Sequence, residues 1–113
     1  DGVEADWDLE WAGPATKGNF SPYPSPLADA IRTVLQRHVP DAEIAHAHSV
    51  GFTDSNWFRA AFPDTVAYNF SPHVVESYDE VTWRYHNVDE RIHVRDLAFQ
   101  ALFAERVALE LLV

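Results

Sequence analysis

A chain of 113 residues with 47% apolar content is at most one domain and is too apolar for disorder. Eighteen acidic against eight basic side chains leave a formal charge of −10, which argues against nucleic acid and anionic membrane surfaces as partners, because phosphate contacts need clustered Lys and Arg. The absence of cysteine excludes disulfides and thiolate metal sites, and no apolar run approaches the length of a membrane span.

Val3, Ala5, Trp7, Leu9 and Trp11 alternate with Glu4, Asp6, Asp8 and Glu10, which is the period of a strand with one apolar and one acidic face. The acidic face reads as a solvated outer surface. Gly13-Pro14 ends the strand, and the Pro-, Gly- and Ser-rich residues up to Ser25 form a connector. Ser25-Pro26 then pairs a capping hydroxyl with proline at the first helical position. Leu27, Ile31, Val34 and Leu35 give that helix its apolar stripe, and Val39-Pro40 closes it, since the residue before proline resists helical geometry.

Residues 43–50 read as a short strand with His46 and His48 on one face. Two histidines at that spacing suit a metal, but the preferred reading leaves them hydrogen-bonded and unmetallated beside a site. Gly51 to Asp54 reads as a strand-to-helix turn, and Ser55 to Phe62 as a short helix. Such turns bind ligands in α/β sheets, although Thr53 or Asp54 acting as a plain helix cap is the simpler reading. Thr65 to Phe70 is expected as a strand in the middle of a sheet. Residues 71–85 carry no clear periodicity. From Val94 the chain is strongly helical, with Leu97, Ala101, Ala104, Ala108 and Leu111 as the stripe expected to face the core and Asp96 placed where the helix dipole favours negative charge. His86 falls on the polar turn that feeds this helix. By residue type alone it is a surface histidine. The alternation of strands and helices predicts an α/β class.

Three motifs alter the weight given to that histidine. Gly51-Phe-Thr-Asp54, Tyr68-Asn-Phe-Ser-Pro72 and His86-Asn-Val-Asp89-Glu90-Arg91 stand in that order. Together they resemble the C-terminal part of the peptidase M-20 family, the two-metal aminoacylases, dipeptidases, carboxypeptidases and deacylases, whose patterns are Gly-Gly-Thr-Asp, Tyr-Gly-Phe-Ser-Pro and His-x-x-Asp-Glu-Arg. Phe52 and Asn69 depart from the pattern where glycines are usual. Both positions bear on pocket shape and hence on substrate class.

The resemblance implies the trailing part of a three-layer αβα zinc-exopeptidase fold. Residues 1–13 would be the last strand of a smaller lid domain, 14–25 the connector, and 26–113 the C-terminal part of the catalytic domain. The start at Asp1, the lack of methionine and the lack of a signal-peptide pattern agree with an expected piece of a longer, cytoplasmic protein. The implied activity is hydrolysis of a peptide or N-acyl amide bond by water held between two divalent ions, zinc first, with cobalt or manganese as alternatives. His86 would be a metal ligand. Gly51, Thr53 and Asp54 would line the substrate pocket, and Asp89 and Glu90 would stand behind the ligand. The implied partners are a small peptide or N-acyl amino acid, the rest of the catalytic domain, and a second copy through the lid. The family's His-x-Asp and Glu-Glu elements are missing from the chain, so the general base is expected upstream and the isolated chain is expected to be inactive. A reading from another class is a non-catalytic interaction module that pairs edge-to-edge through residues 3–11, with Trp7 and Trp11 in the interface.

Overall fold

The computed structural model describes Asp8, Glu10, Ala12, Gly13, residues 17–48 and residues 51–112. Four helices occupy them in the order α1 (Pro26–His38), α2 (Ser55–Ala61), α3 (Tyr78–Thr82) and α4 (Val94–Leu112). No strand occurs among the described residues, so the expected α/β three-layer class gives way to an all-helical one. The opening strand expected at residues 3–11 lies outside the described residues, apart from Asp8 and Glu10.

Helix α1 forms as its ends dictate. The Ser25 hydroxyl accepts the Ala28 N–H at 3.2 Å, and Pro26 occupies the first turn, where no intrahelical donor is needed. Asp29 sits in the first turn and pairs with Arg32 at 2.7 Å, while Arg37 and His38 close the last turn. The Val39 N–H returns to Leu35 O at 2.7 Å, and the helix stops before Pro40. The expected stripe holds here: Ile31 and Val34 are buried, and Leu27 and Leu35 pack against the same cluster.

Helix α4 buries a different face from the one expected. Phe103 and Val107, four residues apart, face α1, with Phe99 one turn before them. Leu97, Ala101, Ala104, Ala108 and Leu111 are exposed. The helix is apolar on more than one side, so periodicity alone does not choose between adjacent stripes. The stripe with two phenylalanines wins because aromatic side chains bury the largest area. Phe103 also meets Phe70, at a ring-centroid separation of 5.4 Å. Arg37 and Glu110 join the far ends of the two helices through contacts of 2.7 and 3.2 Å.

Residues 43–48 and 65–70, expected within strands, form no strand pairing. A strand needs a ladder partner for alternate N–H and C=O groups, and in 65–70 side chains fill that role. Ser21 Oγ accepts the Ala67 N–H and donates to Ala67 O, each at 2.9 Å, and Arg59 also donates to Ala67 O at 3.1 Å. Tyr68 packs against the core while its hydroxyl meets Ser25 Oγ at 2.7 Å. In 43–48, Ile44 reaches the core, whereas His46 and His48 are exposed, with Tyr23 stacked on His46.

Within 71–85, where no element was expected, the short helix α3 is set by a capping box. The Ser77 hydroxyl accepts the Glu80 N–H, and the Glu80 carboxylate accepts the Ser77 N–H at 2.7 Å. Only α1 and α4 pack helix on helix among the described residues; α2 and α3 are attached through loops.

Truncating Phe103 to Ala should destabilise the fold by about 3–5 kcal/mol, and Leu97→Ala by roughly 0.5 kcal/mol or less. Chemical denaturation of both variants checks which face of α4 is the core. Equal losses would return the core to the Leu97 stripe.

Candidate functional site

Two groups of expected site residues emerge, and they sit on different parts of the chain. Gly51, Thr53 and Asp54 lead into α2. Asp54 is the N-cap residue, but its backbone is already helical (φ −60°, ψ −20°) and its side chain makes no capping hydrogen bond. The Thr53 hydroxyl pairs with that of Ser55 instead. Side-chain capping of α2 by Asp54, the simpler reading of this turn, is therefore not what the turn does. Phe52 stands edge-on to Trp57 with centroids 5.8 Å apart, and Trp57, Phe58 and Phe62 are all exposed.

The second group is the loop between α3 and α4, which carries His86, Asp89 and Glu90. Two successive turns build it: the Asn87 N–H reaches Arg84 O at 3.2 Å, and the Glu90 N–H reaches Asn87 O at 3.1 Å. Asn87 braces both, donating to Trp83 O at 3.3 Å and accepting the Val88 N–H at 2.8 Å. His86 takes the third place of the first turn with φ 57°, the one positive φ of a non-glycine residue among those described. Histidine tolerates that region better than most side chains, though at a cost in energy. Its imidazole is exposed. Asp89 is spent on an exposed ion pair with Arg91, and Glu90 lines a neighbouring cavity. Neither carboxylate is ion-paired or hydrogen-bonded to His86.

Below this loop lies a polar cluster that was not anticipated as a site feature. Asp96, in the first turn of α4, is fully buried. Its Oδ1 accepts the N–H groups of Val74 and Val75 at 2.7 and 2.8 Å, and its Oδ2 accepts that of Glu76 at 3.1 Å. Burial pushes the Asp96 carboxyl up, but these three donors outweigh it and hold it below the ordinary carboxylate value. His73 Nδ1 stands 3.6 Å from Asp96 Oδ2, too far for a hydrogen bond, and is buried without a partner. Glu76 is also held low, chiefly by the Arg84 guanidinium at 2.6 Å and then by the His93 N–H at 3.1 Å. His73, Glu90, Arg91 and Gln100 line a cavity of about 330 Å³ with Ser71 and Tyr85.

Among the described residues, no group of three or more His, Asp or Glu side chains lies close enough together to hold a metal ion. His46 and His48 approach one another, with centroids 4.9 Å apart, without a third ligand. The described residues therefore do not fit a complete metal centre on their own. Thr53 and Asp54 share no hydrogen bond or ion pair with His86, Asp89 or Glu90. No protein-family model matches the chain, and neither does any curated protein or solved structure. No helix among the described residues is long and apolar enough to cross a membrane.

Two signals for this cluster lay in the sequence. Ser77-Tyr-Asp-Glu80 is a capping-box pattern, and Asp96 is a single acid at the start of an apolar helix. The dipole rule explained Asp96 locally. Its use by a loop some twenty residues upstream is a tertiary fact.

Asp96 and Glu76 have folded-state values below their ordinary 3.8 and 4.5. The unfolded chain therefore binds more protons in acid, and stability rises with pH. Their contribution should be complete above about pH 4.5 and lost as the pH falls through the lowered folded values. Asp96→Asn turns an amide N–H₂ toward backbone donors, so it should cost roughly 1–3 kcal/mol at neutral pH and flatten the acid limb. Thermal melting across this pH range checks both effects.

Proposed function

We propose that this chain supplies one metal ligand, His86, and part of a substrate pocket to a two-metal hydrolase of peptide or N-acyl amide bonds. The support in sequence is the order of the three motifs that resemble the peptidase M-20 family. The observation that carries the reading is the backbone of His86. An exposed imidazole stands at positive φ on a doubly turned loop, and backbone strain of that kind concentrates where a side chain must be presented to a ligand.

Neutral imidazole is a good zinc ligand. With two ions bound, such a centre supplies an activated water and polarises the scissile carbonyl. The remaining ligands and the general base belong outside this chain. Gly51, Thr53 and Asp54 would contribute a wall of the pocket. The Asp54 carboxylate is not committed to capping α2, and Phe52 adds an apolar face where a glycine would leave space. Asp89 serves the loop through Arg91, so its part is to hold the turn and not to brace the imidazole.

In the full-length protein, His86→Ala should lower bound metal and hydrolysis of an N-acyl amino acid together, activity by about 100-fold or more, with the melting temperature nearly unchanged. Metal analysis and steady-state kinetics on the same preparation check this. Full occupancy of both metal sites in that variant would remove His86 from the ligand set. Thr53→Ala should raise KM or lower kcat with bound metal unchanged. The same kinetic and metal measurements separate the pocket from the ligand.

A further inference from the structure

We propose that the cavity beside His73 binds a small organic ammonium ion, with Glu90 as its counter-charge and His73 as an inner hydrogen-bond acceptor. The cavity encloses about 330 Å³, at the small end of the range for ligand pockets, roughly 300–1,000 Å³. Its walls carry one fixed cation, Arg91, and one fixed anion, Glu90, and their situations differ. The Arg91 guanidinium is already paired with Asp89. The Glu90 carboxylate has no ion pair or hydrogen bond among the described residues. The charge left unbalanced at the cavity is therefore negative. The chain as a whole carries −10, a field that draws cations toward such a cleft.

The inner wall agrees in sign. The His73 side chain is 10% exposed, and its Nδ1 faces the buried Asp96 carboxylate at 3.6 Å without a hydrogen bond. A lone pair on Nδ1 would be repelled by that carboxylate, so in the neutral ring the proton belongs on Nδ1 and Nε2 is left as the acceptor. The Gln100 amide nitrogen reaches Nε2 only at 3.4 Å, a long contact that an ammonium N–H can replace. An ammonium group has donors and no acceptor, which suits a wall of acceptors and suits a carboxylate ligand poorly. The apolar part of the cavity fixes the rest of the molecule. Val81 is buried and Ile92 half-exposed, so they can cover a short hydrocarbon body. Tyr85 adds an aromatic ring, a group that attracts cations. Nothing in this site depends on a metal at His86.

Titration of the full-length protein with n-butylammonium, followed by NMR with a metal chelator present, tests this. The His73 ring and the Val81 and Ile92 methyl groups should shift saturably. Butanoate, with the same chain length and the opposite charge, and butanol should leave them in place at the same concentrations. Glu90→Gln should weaken n-butylammonium by about tenfold, the effect of losing a hydrogen bond to a charged partner. Arg91→Gln should leave its affinity equal or tighter, since it removes the cavity's cation. Both positions are exposed, so neither change threatens the fold, and the melting temperature verifies that. Butanoate shifting the same groups as strongly, the absence of a saturable shift with n-butylammonium, or unchanged affinity in Glu90→Gln would each overturn the assignment. Because metal is withheld throughout, these results stand apart from those of the His86 variant.

Discussion

A carboxylate removed from water must find donors or give up its charge, and Asp96 finds three in consecutive backbone N–H groups of residues 74–76. Both sides need the arrangement. The loop at 73–77 has no ladder to satisfy its amides, and unpaired buried amides are costly. The helix start has a charge that burial alone would neutralise. Each solves the other's problem, and the result is a fixed junction between the crossing segment and the first turn of α4. Because Asp96 lies in the same helix as Phe103 and Val107, the junction is carried by the one helix pair that forms the core.

From that junction the order spreads outward through polar contacts. Glu76 leaves it with two free oxygens and spends them on the ends of the next loop. His93 then accepts the Arg95 N–H on its Nδ1 at 3.2 Å, satisfying one of the orphan donors at the start of α4. The loop with His86 is thus held by a chain of charge-assisted hydrogen bonds, which are shorter and stronger than neutral ones. Its tip stays open to solvent.

The other half of the candidate site is built differently. Helix α2 packs on no other helix and keeps its place through polar contacts of its neighbours. Asn19 bonds to Asn56, and Arg59 bonds to Asn19 and to Ala67 O. Its aromatic residues point outward, with Trp57 and Phe58 both 60% exposed. The turn at Gly51 to Asp54 therefore inherits less rigidity than the loop at His86. Joining the two into one pocket would need contacts that this chain does not make among its described residues.

Local chemistry was legible in the sequence. Ser25-Pro26 started α1 and Val39-Pro40 ended it, because capping and proline geometry involve only neighbouring residues. Ser55 and Val94 likewise marked the starts of α2 and α4, and the polar run from Trp83 to His93 placed His86 on a turn before the long helix. The Ser77–Glu80 capping box was equally local and lay in plain view. What tertiary structure alone decided was pairing. Residues 65–70 have the composition of a strand, but a strand exists only with a partner, and here the Ser21 hydroxyl took the place of one. Helix α4 offered two apolar stripes, and the choice of Phe103 and Val107 over Leu97 and Ala101 depended on what α1 presented to it. The Asp96 contacts and the Glu76–His93 contact join residues seventeen to twenty-two apart. No periodicity or cap rule reaches that far, because such bonds form only where packing has already removed the competing water.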